Sequence, residues 1–178
     1  MEWKPERIVI LVDHANIFHI IQELKKRIDW KKFAEVLAPR SEGILIAKII
    51  YMGVYKQIRH QKQSFIDYLL SLEWIVVTLP LKTTPKGKKQ QKRIDLRMYK
   101  HGVGFVQENM CDTVIIVSGD GDLSELVVSV KELAKKVKVW SFQKSMAQSL
   151  KDEAGEENVY YLDTIMDQIT ITSPHDNK

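Results

Sequence analysis

The sequence predicts an α/β fold, a central and mostly parallel sheet with helices on both faces. Short apolar runs rich in Ile and Val recur at residues 7–12, 44–52, 74–79, 113–117 and 137–142. Between them apolar side chains fall at helical spacing, and strands alternating with helices are the mark of parallel βαβ units. A third observation gives the sheet a working edge. IVILVDHANI puts Asp13 and Asn16 just past one run, and TVIIVSGDGDLSEL puts Ser118, Asp120 and Asp122 just past another. In such sheets ligands gather outside the carboxyl ends of the strands.

In order, residues 7–12 form the first strand, and the segment IFHIIQELKKRI has helical spacing, with Asn16 placed to cap it. Asp29 precedes WKKFAEVLA, a second helix that Asp29 caps and Pro39 stops. Residues 44–52 are the second strand. Residues 60–72 repeat apolar side chains at Phe65, Tyr68, Leu69 and Leu72, a helix that leads into the strand WIVVTL. A loop with Pro80, Pro85 and Gly87 follows. Residues 93–109 read as a helix in which Gly102 and Gly104, each costing about 1 kcal/mol relative to alanine, serve close packing. The remainder reads as a strand at 113–117, a helix at 122–135, a strand at 137–142, a helix at 145–154 and the short strand VYYL. No composition break marks a second domain, so residues 1–168 are expected to form one domain and 169–178 a flexible tail.

With 44% hydrophobic and 28% charged residues the chain has an ordinary globular composition. The opening MEWKPERIVILVD turns acidic too soon for a secretion signal or a membrane span, so a cytoplasmic protein is expected. Cys111 is the single cysteine, which excludes an internal disulfide, and no Cys/His spacing suits zinc.

The acids carry the chemistry. Two carboxylates about 4 Å apart repel by roughly 4 kcal/mol at an effective dielectric near 20. If the two acid-tipped strands are neighbours, their cluster calls for a proton, a cationic side chain or a divalent metal, and a metal is the expectation. Asp13 competes with a helix-capping role, which Asn16 fills better by position. Asp120 lies between Gly119 and Gly121, where backbone and carboxylate can approach a ligand together. Asp122 and Glu125 have the spacing of an N-cap and its reciprocal N3 acid, so a structural role competes for Asp122. Asp95, in KRIDLRMYKH, opens a helix where the dipole alone favours an acid. Ser118 can bond a bound water, a phosphate oxygen or the local backbone. His14 is expected to be a neighbour of the cluster and no ligand. Hard divalent ions take oxygen ligands and can polarise a phosphoryl oxygen, so phosphate ester chemistry fits the set.

An acidic pocket repels nucleic acid unless positive charge lies nearby. LPLKTTPKGKKQQKRI carries Lys82, Lys86, Lys88, Lys89, Lys92 and Arg93 without an acid, and Arg97 extends it. The net charge of +4 and isoelectric point near 9.0 favour polyanions only mildly. No aromatic residue lies between Pro80 and Leu96, so this segment suggests attraction to phosphates and no base stacking. The plain alternative is a solvated lysine-rich surface.

Three stretches resemble the NYN family of the PIN-like nuclease superfamily: VDHANIF its D-x-x-N element, KRIDLRM its K-G-V-D-V-x-L, and DTVIIVSGDGDLSELV its strand ending in S-G-D-x-D-F. KVKVWSF resembles the strand that follows. The likeness spans most of residues 6–163. It implies a three-layer PIN-like fold and a ribonuclease site using Mg2+ or Mn2+ at the sheet's carboxyl edge. Asp13, Asp95, Asp120 and Asp122 would hold or orient the metal, and Asn16 and Ser118 would orient waters or substrate. Lys86, Lys88, Lys89, Lys92, Arg93 and Arg97 would meet the RNA backbone. Two positions depart from the pattern: His101 stands where the family often has an acid, and Arg93 stands where it has glycine. His101 motivates the alternative of a non-catalytic RNA-binding or regulatory module. A phosphatase of the HAD class or a Toprim domain is disfavoured, because the first strand lacks the former's paired aspartates and the latter's glutamate.

Overall fold

The computed structural model describes residues 4–55, 59–81 and 92–171. Six strands, β1 (Glu6–Asp13), β2 (Gly43–Val54), β3 (Ile75–Pro80), β4 (Thr113–Val117), β5 (Lys136–Ser141) and β6 (Val159–Tyr161), form one sheet in the order β3-β2-β1-β4-β5-β6. Every neighbouring pair is parallel. The chain therefore winds outward from β1 in one direction as far as β3, then returns to β4 and winds outward in the other. The reversal lies between β1 and β4, which is where such sheets open a crevice.

The period-two alternation of β1 builds both faces. Ile8, Ile10 and Val12 enter one core with Ile17, Phe33, Leu69 and Trp74, contributed by α1 (His14–Glu23), α2 (Trp30–Leu37), α3 (Arg59–Ser71) and the residue preceding β3. Val9 and Leu11 enter the other with Met98, Leu126 and Leu150 of α4 (Lys92–Gln107), α5 (Ser124–Glu132) and α6 (Gln148–Ala154). β4 is buried along its whole length, as a central strand covered by helices on both sides must be. Fully burying each Val, Leu, Ile or Phe contributes about 1.5–3 kcal/mol relative to exposure.

In α4, Ile94, Met98 and Val106 are buried, and Gly102 continues their stripe. A Cβ at Gly102 would meet Leu126 Cδ1 at 2.7 Å, so the glycine lets α4 lie close to α5 as the sequence suggests. Gly104 meets nothing within 4 Å and has no such role. Pro80 ends β3 and does not begin the loop; β3 is an edge strand, where proline's missing N–H is tolerated. The region expected to be one helix at 122–135 divides into a 3₁₀ turn at Gly121–Leu123 and α5, and that at 145–154 into a turn at Gln143–Ser145 and α6. The packed chain also continues past residue 168. Ile169, in the short α7 (Met166–Ile169), is buried, its carbonyl accepts from Asp29 N at 2.8 Å, and Thr170 bridges Ile28. The remaining expected tail, 172–178, lies outside the described residues.

At the amino edge one ion network ties β1 to the turn before β4. Asp112 Oδ2 accepts from the backbone N and Nε of Arg7 at 3.0 and 2.9 Å, while Oδ1 accepts from Arg7 Nη2 at 2.8 Å and Lys135 Nζ at 3.1 Å. The Arg7 guanidinium holds the Asp112 carboxyl well below the usual carboxylate range. A depressed carboxyl stabilises the fold above its unfolded pKa, near 4, and loses that contribution as pH falls through its folded value. Asp112→Asn is expected to destabilise by about 1 kcal/mol at pH 7, since the pair is partly solvent-screened. Urea unfolding across pH should show that difference shrinking below about pH 4.

Candidate active site

The two acid-tipped strands are neighbours, paired from Ile8 with Thr113 to Val12 with Val117, so Asp13 and Ser118 leave adjacent strand ends at the reversal point. Asp13 is only 5% exposed. Its Oδ1 accepts from the amides of Ala15 and Asn16 at 3.1 and 3.4 Å, so Asp13, and not Asn16, caps α1. A carboxylate at the strand end meets the orphan amides of the next helix before Asn16 can. Asn16 lies inside the helix, and its Oδ1 accepts from Gly119 N at 2.9 Å across the crevice.

Ser118 completes the tie. Its buried hydroxyl donates to Asp13 Oδ2 at 3.4 Å and accepts from Asp120 N at 3.2 Å. Asp120 Oδ1 in turn accepts from Asp122 N at 3.0 Å and caps the 3₁₀ turn. The N-cap of α5 is Leu123, without a side-chain bond, so Asp122 does not cap that helix as its spacing with Glu125 suggests. The inserted turn displaces the helix start past it.

Gly119 is required where it stands. A Cβ there would lie 2.1 Å from Ser145 O and 2.6 Å from Ser141 Oγ, and Gly119 O accepts from Ala147 N at 2.9 Å. Ser141 and Ser145, bonded to each other at 2.9 Å, thus buttress the acidic loop from the β5–α6 connection. No sequence signal marks them, because only the β4–β5 pairing brings them there.

Asp95 sits in the first turn of α4, and its carboxylate makes no hydrogen bond or ion pair among the described residues. Burial, then the charges of Asp120, Asp13 and Asp122, push its carboxyl up to about 7. Burial, with Asp120 adding to it and the capping amides opposing, pushes Asp13 up to about 6. Four carboxylates from three separate segments therefore share one electrostatic neighbourhood. Among the described residues no three His, Cys, Asp or Glu side chains are gathered tightly enough to hold an ion by themselves. The donor set still fits a hard cation in chemistry, since magnesium uses one or two carboxylates and completes its shell with water and phosphate oxygens.

His101 does not join the acids. Its Nδ1 is 2.8 Å from the Tyr51 hydroxyl, and burial and Arg97 lower its pKa. Tyr51 pairs with Asp13 in register and is fully buried, so its hydroxyl needs a partner, which His101 supplies. His14 is buried against Phe18, Phe65 and Trp30, and burial pushes its pKa down to about 3, as suits a packing residue.

Of the expected basic residues, Lys86, Lys88 and Lys89, with Lys82, lie outside the described residues, and Lys92 is described only as the backbone opening α4. Arg93 and Arg97 line a cleft of about 390 Å³ with Lys100, Leu79, Pro80 and Leu96. Lys100 escaped the sequence reading although its spacing from Arg93 and Arg97 puts all three on one helix face. A larger cleft, about 510 Å³, lies at the opposite edge around Glu6, Glu42 and Asp112. Its acids pair with Lys136, Lys138 and Lys135, so it offers little to a charged ligand.

The family model of the NYN domain matches residues 7–162. The chain belongs to the NYN domain family. The Low amplitude and bright protein LabA of Synechococcus elongatus is 26% identical over 157 residues, which cover 85% of this chain and 82% of that one. A crystal structure of a protein of unknown function from Vibrio parahaemolyticus, VPA0982, superposes with a TM-score of 0.76 at 24% identity, covering 96% and 99% of the two chains. That structure has the same three-layer fold. NYN membership points to nuclease or RNA-related function. Among the described residues of this NYN domain no helix is long and apolar enough to cross a membrane.

Because Asp13 and Asp95 are held above the ordinary carboxylate range, the folded NYN domain binds these protons more tightly than the unfolded chain does. The cluster's contribution to stability without metal is therefore greatest at acid pH and falls as pH rises from about 4 to about 7. Asp95→Asn should raise the Tm of the metal-free protein at pH 8, by roughly 2–4 °C for each kcal/mol of repulsion relieved, and leave it unchanged near pH 4. A lower Tm at pH 8 would mean that Asp95 is held by contacts that outweigh the repulsion.

Proposed function

We propose that this NYN domain is a divalent-metal-dependent ribonuclease, with its site at the carboxyl edge between β1 and β4. The observation that carries the proposal is the meeting of Asp13, Asp95 and Asp120 in one negative field at the sheet's reversal point, where Asp95 has no cationic partner among the described residues. Nucleases of this family generally use divalent metals, which supports the same assignment.

Asp13 and Asp120 would hold the ion, each having one oxygen committed to a helix or turn amide. Asp122 would add charge to the same site. When bound, Mg2+ or Mn2+ supplies Lewis-acid polarisation of a phosphoryl oxygen and a more acidic water. Asp95, in the first turn of α4 and in the same field as Asp13 and Asp120, suits the task of orienting the attacking water and accepting its proton at a carboxylate oxygen. Ser118 and Asn16 act as positioning residues, locking the Asp13 turn to the Gly119–Gly121 loop. Arg93, Arg97 and Lys100 would bind backbone phosphates, joined by Lys86, Lys88, Lys89 and Lys92 of the basic segment.

Asp13→Asn keeps a capping side chain and Asp120→Asn keeps an acceptor, so both variants should fold while losing at least about 100-fold in cleavage of labelled RNA. Cleavage at the parental rate by a rigorously purified double variant would end the assignment. Replacing Arg93, Arg97 and Lys100 together by alanine should flatten the slope of log affinity against log salt by about 2, at roughly 0.7 per phosphate contact on a single strand. An unchanged slope would reduce the cleft to a solvated surface.

A second possibility, an RNA-binding or regulatory module without turnover, is favoured by one feature: His101 is engaged by Tyr51 and brings no acid to the site. A manganese titration separates the two. Saturable binding abolished by Asp120→Asn supports the enzyme, whereas RNA binding indifferent to metal supports the module.

A further inference from the structure

We propose that the exposed ring of Phe18 is a stacking platform for an unpaired nucleobase of the RNA held at the carboxyl edge, an inference that rests on the ribonuclease proposal and narrows its substrate to single strands. The Asp13 cap starts α1 at the sheet's carboxyl edge, and His14 and Phe18 fall one turn apart on one face of that helix. Their rings stack with centroids 4.8 Å apart and planes at 24°. The His14 ring is 5.5 Å from that of Phe65 and 6.3 Å from that of Trp30, and Trp30 packs edge-on against the buried Trp74 at 5.5 Å. Phe18 is thus the outermost ring of a column rooted in the core. It remains 38% exposed.

Single exposed apolar side chains are common and need no explanation. Phe18 differs in two respects. The stack beneath it fixes the plane of the ring, so an incoming base would not have to order it. It also stands one turn beyond the residue that follows Asp13, on the face of the sheet opposite α4. The Arg93–Arg97–Lys100 cleft belongs to α4, on one face of the sheet, and Phe18 to α1, on the other, and both helices begin beside the acidic strand ends. A strand laid over that edge would set phosphates against the cations of α4 and a base against the aromatic face on α1. Every base has such a face, so the platform accepts any sequence but requires that the base be unstacked from its own strand.

The test measures binding of a short labelled oligoribonucleotide, single-stranded or as a duplex, by anisotropy in the Asp120→Asn background, which prevents cleavage. Phe18→Ala should weaken single-strand binding roughly 5- to 150-fold and leave duplex binding unchanged. Phe18→Trp should retain affinity. Phe18→Leu, which keeps apolar bulk without a π face, should behave like Phe18→Ala, with circular dichroism and Tm confirming that it folds. Parental affinity in Phe18→Leu, or equal losses on single strand and duplex, overturns the platform. So does a change of oligomeric state in Phe18→Ala with RNA binding intact, which would assign the ring to a protein contact. If the protein with Asp120 intact neither binds nor cleaves RNA, the ribonuclease proposal falls and the platform with it; if that protein cleaves RNA while Phe18 variants bind like their Asp120→Asn parent, only the platform falls.

Discussion

The parallel pairing of β1 with β4 is the constraint on which the rest of this molecule depends. It joins two segments about a hundred residues apart along the chain, and each ends its strand in a turn carrying polar side chains. Because both strands are covered by helices on both faces, the pairing is embedded in two apolar cores and cannot slip without moving every inward side chain to the wrong side. Ser118 and Asn16 then stitch the two turns together, and Ser145 and Ala147 hold the outer loop from behind. The acidic residues inherit their mutual placement from backbone geometry.

That placement is held against electrostatics. Asp13 is nearly inaccessible and Asp95 is half-buried beside it, and each is pushed toward neutrality by burial and by the other acids. The apolar cores supply the free energy that keeps them together, and the amides that bond Asp13 Oδ1 offset part of its desolvation. A site strained in this way is suited to a cation and would be stabilised by one, which is the physical link between the fold and the proposed chemistry. The opposite edge shows the contrast. There Asp112 is surrounded by Arg7 and Lys135, its charge is satisfied, and the edge fastens the sheet without offering a site.

Much of this was legible in the residues. The alternation of apolar runs with helical segments gave all six strands and the layer arrangement, and the two acid-tipped runs pointed to the edge that matters. What went astray did so for local physical reasons. Asn16 has a cap's chemistry, but Asp13 reaches the helix amides first and frees Asn16 to bond Gly119. Asp122 has a cap's spacing, but the 3₁₀ turn capped by Asp120 moves the start of α5 past it. His101 stands where the family often has an acid, and the hydroxyl of the buried Tyr51, the residue opposite Asp13 in the sheet, engages it.

From the sequence alone came the fold class, the family and the identity of the acids, because periodicity and strand-end motifs are properties of neighbouring residues. Only the tertiary structure decided which of those groups meet. It set Asp95 beside Asp13 and Asp120 without a cation among the described residues, grouped Lys100 with Arg93 and Arg97 in one cleft, and mounted Phe18 on an aromatic column. Encounters between distant segments depend on strand order and on the winding of the chain about the sheet, and no local pattern encodes them.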